Sequence, residues 1–356
     1  MSFFQDSFTL SPHAQRVRFG AGLRHHIRDE IARLGKSRAL VLTTPQQVAL
    51  GDEILALCGD LGVGHYPHAV MHTPVDVSQA ATAHAVAVGA DVLIAAGGGS
   101  TTGLGKAIAL RTGLDQIVIP TTYAGSEATP VLGQTENGRK TTQSDPAILP
   151  EVILYDAELV TGLPAGMTVT SALNALAHAA EGLYARDRSP LATLMAVEAF
   201  GAFTTALPKV LENPADLSAR GETLYGAWLC GTVLGQVGMA LHHKLCHVLG
   251  GSFNLPHAET HAVILPHALA YNAQAAAVEL APLQAHFGPD IAGGLYDFAA
   301  RLGAPQALRD LGLQQSDLDQ AADIAVQNAY WNPRPVTRDG IRALLGRAWE
   351  GARPTA

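Results

Sequence analysis

The stretch DVLIAAGGGSTTGLGKAIALR, residues 91–111, decides the fold. Residues 91–96 read as an apolar strand covered on both faces. Gly97, Gly98, Gly99 and Ser100 follow at the strand end, and residues 103–111 have helical character. Glycines at such a turn let backbone approach a pyrophosphate, and the unpaired amides at the helix start favour its charge. The run is not GxGxxG, so the usual dinucleotide fingerprint fails. Taken alone, it reads equally well as a tight turn with no ligand.

The neighbouring sequence repeats the pattern. Residues 38–43 (RALVLT) read as a strand, with Thr44 as a helix N-cap and Pro45 as the first helical position, and the helix runs to about Cys58. Residues 116–120 form another strand, leading into Thr121-Thr122-Tyr123-Ala124-Gly125-Ser126. A hairpin turning at Asn137-Gly138 and a last strand at 152–156 complete this part. Strands alternating with helices predict a parallel sheet covered by helices. Two loops rich in glycine or hydroxyls, each following a strand end, tip the reading towards a nucleotide. Thr121, Thr122 and Ser126 supply hydroxyls, and Gly125 a close backbone approach. Thr43-Thr44 stands where an NAD-selective sheet often carries an acid, so NADH and NADPH both stay open.

After about Leu159 the texture changes. Residues 168–185, 191–211 and 218–239 have helical spacing, prolines at 208, 214, 256, 266 and 333 punctuate helices, and the Ala-rich 273–281 reads as helix up to Pro282. The expected organisation is an α/β nucleotide-binding domain over 1–158 and an all-α substrate domain over 159–356.

Composition narrows the function. The 356 residues are 48% hydrophobic, enough for two large cores, and the net charge of −8 leaves no basic stripe for nucleic acid. No run reads as a membrane span or a signal peptide, so neither a membrane partner nor export is expected and the cytoplasm is the expected location. Cys58, Cys230 and Cys246 are widely spaced, which gives no zinc-ligand pattern and suits a reducing compartment.

Histidine carries the chemistry. SALNALAHAAEGLY places Asn174 and His178 one helical turn apart, and MALHHKLCHVLGGSFNLPHAETH supplies His242, His243, His247, His257 and His261. One such histidine is ordinarily a satisfied core or surface residue. Six in one helical region point to a site, because helical domains build metal and ligand sites from imidazoles on facing helices.

These motifs resemble the iron-containing alcohol dehydrogenase superfamily. The resemblance rests on GGGS at 97–100, PTT at 120–122, GSE at 125–127 and the H-x3-H-x9-H run of His243, His247 and His257. It implies a dehydroquinate synthase-like fold with an α/β nicotinamide-binding domain and a helical domain. By that resemblance His178, His243 and His257 match metal-ligand positions, His247 matches a histidine near the nicotinamide, and Lys140 a residue near the cofactor. It also implies a homodimer, and residues 17–19 read as an exposed strand able to pair.

Two departures matter. Asn174 stands where the family has its metal-binding aspartate, and Gly103 where it has an acid after GGGS. An amide in place of the one anionic ligand weakens the hold on a divalent cation, so no metal is expected. GGGSTTGLGKAIA, PTTYAGSE, NALAHA and Asn332-Pro333-Arg334-Pro335 together resemble a branch that reduces an unsaturated oxo-dicarboxylate in aromatic degradation. That branch implies His243 and His247 as catalytic residues. It implies Asn174, His178, His242, His257, Tyr123 and Arg334 as substrate contacts, with Arg334 equally readable as structural. Glu181 and Asp156 read as structural. A metal-dependent alcohol or glycerol dehydrogenase, a non-redox enzyme on the same architecture and a binding protein are the competing readings.

Overall fold

The computed structural model describes residues 3, 5–10, 14–136, 139–328 and 330–355, with the side chains of residues 139 and 140 left aside. Among the described residues, the first unit holds eight strands: β1 Arg16–Gly20, β2 Ala39–Leu42, β3 Gly62–Tyr66, β4 Val92–Gly97, β5 Asp115–Pro120, β6 Val131–Glu136, β7 Arg139–Ser144 and β8 Val152–Asp156. Its helices are α1 Ile27–Arg33, α2 Val48–Cys58, α3 Val75–Ala87 and α4 Gly99–Thr112. Six strands form one sheet in the order β1-β8-β5-β4-β2-β3, and every pairing in it is parallel. β6 and β7 make a separate antiparallel hairpin. Its expected Asn137-Gly138 turn lies outside the described residues.

Alternate residues of each strand serve opposite faces, and both faces are apolar. Val41, Val92, Ile94, Ile117 and Leu154 join Ile27, Ile31 and Ile54 in one core. Leu40, Leu42 and Leu93 join Ala81, Ala85, Leu104 and Ile108 in the other. Thr44 is the N-cap of a short 3-10 turn over Pro45–Gln47 that runs into α2, as the Thr-Pro pair suggests. The expected helix at 103–111 begins earlier, at Gly99, because Gly98 already serves as its N-cap. β3 went unpredicted, and the strand expected at 17–19 is β1, which pairs in parallel with β8. β3 (GVGHY) contains two glycines, and β1 is short and largely exposed.

The second unit is helical. Its main elements are α5 Ala165–Leu183, α6 Pro190–Glu212, the end of α7 Leu217–Gln236, α8 Leu241–Phe253 and α9 His257–Asn272. Further helices include Ile291–Arg301, Leu318–Ala325 and Arg338–Glu350. Leu245, Leu249, Ile264, Leu344 and Leu345 share its core. The units divide at Leu163/Pro164 rather than 158/159, and Pro214–Gly231, most of α7, belongs to the α/β unit. The Arg220 side chain bonds the carbonyls of Thr161 and Leu163, which ties that segment to the α/β chain.

Three local expectations need correction. Pro208 and Pro266 lie inside α6 and α9, where each removes one helical hydrogen bond, rather than at helix ends. The Ala-rich 273–281 is helical only over Ala277–Leu280. α6, with 23 residues, is long and apolar enough to cross a membrane, and half of that window is buried within the fold. Its Ala196, Phe200, Phe203 and Leu207 are fully buried.

Candidate active site

In the α/β unit, the turn between β4 and α4 presents backbone. Gly98 caps α4 with no side chain for the first-turn amides, which leaves that helix end open to an anion. A Cβ on Gly98 would come within 2.9 Å of Thr122 Cγ2, so glycine lets this turn and the loop after β5 meet. Gly97 pairs with Pro120 in the sheet, and Thr121 N donates to the Gly97 carbonyl at 3.1 Å. The two predicted loops thus lie side by side at adjacent strand ends, where α/β sheets take nucleotides. Gly125 has φ 77°, and a Cβ there would meet Gly231 Cα at 3.0 Å, so glycine is required on both counts.

The second loop is braced from beneath. Lys106 of α4 is fully buried and donates to the Ser126 carbonyl at 2.5 Å, to Thr129 Oγ1 at 3.0 Å and to the Val131 carbonyl at 2.8 Å. Burial pulls its amine down to about 7, against the raising influence of Glu127. Glu127, also buried, accepts from the Tyr155 hydroxyl at 2.9 Å, and burial pushes its carboxyl up. Tyr123, expected to touch substrate, is fully buried, and its hydroxyl accepts from Arg220 Nη1 at 3.1 Å. A side chain so enclosed braces this unit. Lys140 pairs opposite Thr135 in β7, and its side chain lies outside the described residues. At Gly103 a Cβ would meet Thr73 Oγ1, so an acid there requires the Thr73 side chain to move.

The helical unit gathers the histidines. α5 carries Asn174 and His178, both buried, and the His178 ring stacks on His243 of α8 with centroids 5.0 Å apart. Burial, followed by the charges of His243 and His257, pushes the His178 imidazole well below its ordinary value, which keeps it neutral. His243 Nδ1 meets Glu181 Oε2 at 2.6 Å. Asn174 Oδ1, His178 Nδ1 and His243 Nε2 are buried and have no hydrogen-bond partner among the described residues. Buried polar atoms are nearly always paired, so three such atoms on two contacting helices mark the seat of a ligand.

The other histidines divide. His247 and His257 are exposed, with His247 6.3 Å from the His243 ring and His257 4.3 Å from the His261 ring. His242, expected as a substrate contact, is fully buried, and its Nε2 lies 3.0 Å from His261 Nδ1 and 3.6 Å from Cys246 Sγ. Burial first, then neighbouring imidazoles, hold both His242 and His261 well below the ordinary histidine value. Arg334 lies over the Tyr271 ring at 4.1 Å and donates to the Tyr271 carbonyl, which favours its structural reading.

Glu181, expected to be structural, accepts from two amides at the start of α8 and also meets His243 Nδ1. The signal was present, because Glu181 follows Asn174 by seven residues and His178 by three, on the same helix face.

Two family models cover the chain: "Iron-containing alcohol dehydrogenase" over residues 14–157, and "Fe-containing alcohol dehydrogenase family, C-terminal" over 168–349. The chain belongs to the iron-containing alcohol dehydrogenase family. It is 60% identical over 347 residues to maleylacetate reductase of Rhizobium sp. strain MTP-10005, with 98% of each chain covered. It is 52% identical to maleylacetate reductase of Burkholderia cepacia, covering 98% of this chain and all of that one. The crystal structure of maleylacetate reductase from Agrobacterium tumefaciens superposes with a TM-score of 0.97 at 58% identity, covering 98% of this chain and all of that one.

The metal in the family's name can be tested against the donors present. The family's carboxylate is replaced by the amide of Asn174, which leaves neutral donors for a divalent ion. Among the described residues, the three donors whose ligand atoms lie within 4.8 Å of one another are His242, Cys246 and His261. That set is not His178, His243 and His257. At the family's metal position, an amide and neutral imidazoles hold a divalent ion less tightly than a set that includes a carboxylate.

Proposed function

We propose that the chain reduces the carbon–carbon double bond of maleylacetate to give 3-oxoadipate, using NADH or NADPH and no required metal. The carrying observation is the set of unpartnered buried atoms on Asn174, His178 and His243, at a place where the family's carboxylate has become an amide. The similarity to maleylacetate reductases over 98% of the chain supports the substrate. The open N-terminus of α4 beside Thr121 and Thr122 supports the dinucleotide.

When bound, the reduced nicotinamide supplies a hydride to the alkene carbon β to the ketone. Adding that hydride makes an enolate, whose charge hydrogen-bond donors can stabilise without a Lewis acid. His243 in its protonated form donates from Nε2 to the substrate oxygen and is the source of the proton that completes the alkane. Its Nδ1 keeps its own proton, donated in a hydrogen bond to Glu181 Oε2. Neutral His178 orients the substrate from the stacked face. The Asn174 amide, whose oxygen and nitrogen exchange by a flip, donates to a substrate carboxylate or carbonyl oxygen, which an aspartate would repel. His247 and His257, both exposed, serve at the rim of this cluster.

The reading also places the chain in the cytoplasm, where reduced nicotinamide is supplied, and as a homodimer. β1, at one end of the sheet, and its half-exposed Phe19 support a second copy pairing there. Sedimentation of the purified protein as a monomer would remove that element. The activity itself is tested by mixing chelator-treated protein with fresh maleylacetate and following NADH or NADPH absorbance. Rapid oxidation is expected. No turnover, with alcohol oxidation appearing on addition of iron or zinc, would move the chain to the metal-dependent side of its family.

A further inference from the structure

We propose that Glu181 is the positioning residue of His243, fixing which ring nitrogen meets the substrate. This rests on the reading of His243 as the substrate's proton donor.

Glu181 is fully buried on α5, and its carboxylate accepts three hydrogen bonds. Ala240 N donates to Oε2 at 2.8 Å, His242 N donates to Oε1 at 2.7 Å, and His243 Nδ1 lies 2.6 Å from Oε2. The first two satisfy amides at the start of α8, whose N-cap residue, Ala240, has no side chain to do so. A purely structural role would end there. The third contact reaches the ring and is the shortest of the three.

Both oxygens already accept amide protons, so Nδ1 donates. In the neutral ring that leaves Nε2 without a proton, and in the protonated ring Nε2–H is the donor left for a ligand. Nε2 is also the ring atom with no partner among the described residues. Glu181 therefore sets the tautomer and the ring plane of His243. A carboxylate behind an imidazole is a recurring way to set the tautomer and basicity of a reactive nitrogen. Because the same carboxylate joins α5, which carries Asn174 and His178, to the start of α8, it registers all three substrate-facing groups.

Glu181→Gln is the informative variant. With its carbonyl oxygen in place of Oε1 it still accepts from His242 N, while its NH2 in place of Oε2 faces Nδ1 and forces the proton to Nε2, at the loss of the bond from Ala240 N. We expect kcat to fall by about 100-fold or more, with NADH affinity little changed and the melting temperature lowered by the lost Ala240 bond. Glu181→Asp, shorter but anionic, should recover part of the loss. The decisive readouts are a double-mutant comparison and the 15N shifts of the His243 ring, assigned by their absence in His243→Ala. Glu181→Gln should add almost nothing in the His243→Ala background, and wild-type His243 should show the Nδ1–H tautomer when neutral. Equal losses in both backgrounds, or a neutral Nε2–H tautomer in the wild type, would overturn the assignment. If Glu181→Gln does not fold, the wild-type tautomer decides alone. Full turnover by His243→Ala would instead remove His243 from the chemistry, a separate failure.

Discussion

His178 lies nearly face to face with His243, ring centroids 5.0 Å apart and planes inclined by 26°. Two imidazolium rings so placed would repel strongly in a buried setting. Glu181 gives His243 a carboxylate partner, while burial holds His178 neutral. The pair thus separates into one group that can carry charge and one that orients.

From this, His178→Phe should keep the stacking and lose the orienting nitrogen. kcat/KM for maleylacetate should drop by about 10- to 100-fold, since one hydrogen bond to a charged group is worth roughly 1.5–3 kcal/mol. NADH affinity should stay constant. Steady-state kinetics with a direct cofactor titration would check this, and an unchanged kcat/KM would leave His178 as packing only.

Restoring the family's acid should have the opposite character. Asn174→Asp places an anion beside a dianionic substrate and supplies the missing ligand for a cation. Zinc affinity should rise by about 10-fold or more, and maleylacetate turnover should fall. Calorimetric zinc titration beside the reductase assay would show both changes; tighter zinc with undiminished turnover would contradict the role given to the amide.

Lys106 holds the loop from Ser126 to Val131 by three hydrogen bonds. Lys106→Met would leave two carbonyls and a hydroxyl to find new partners, each at roughly 1–3 kcal/mol. The expected result is a melting temperature lowered by several degrees and NADH bound about tenfold more weakly. Fluorescence titration of NADH measures the second, and an intact affinity would confine Lys106 to stability.

His267 offers a pH test away from the site. It is fully buried in α9, neither ring nitrogen has a partner among the described residues, and burial holds its imidazole to about 4. Its folded pKa is depressed below the ordinary 6.5, so between these values the unfolded chain binds a proton the native chain excludes. Stability from this group is present above pH 6.5 and is lost as pH falls towards 4, by about 3 kcal/mol in all. His267→Leu should flatten that part of the acid slope. Urea unfolding at pH 7 and pH 4.5 measures it, and identical slopes would refute the burial argument.

Much of the α/β unit was legible because its signals are local. An apolar strand running into glycines, and a Thr-Pro pair before a helix, each state their conformation within a few residues. β3 was missed because Gly62 and Gly64 weaken strand preference, and only pairing with β2 makes the strand. The placement of Pro214–Gly231 depends on Arg220 reaching carbonyls nearly sixty residues away, which no local pattern records. At the site, helical spacing alone joined Asn174 to His178. The difference between His243, whose Nε2 has no partner among the described residues, and His242, locked on His261, comes from a single step along α8. Adjacent residues on a helix face directions about 100° apart, so which one reached the site depended on how α8 is rotated against α5 and α9. The burial of Tyr123 and its bond from Arg220 were not visible for a similar reason, since Arg220 lies nearly a hundred residues further along the chain.

The most direct test is where the hydride lands. Chelator-treated protein is given maleylacetate and NADH or NADPH carrying deuterium at the transferable position, and the product is read by proton NMR. The account predicts 3-oxoadipate with deuterium on the methylene next to the carboxylate remote from the ketone, a position that does not exchange with water. Deuterium on a newly formed alcohol carbon, or no transfer until a metal is added, would contradict it.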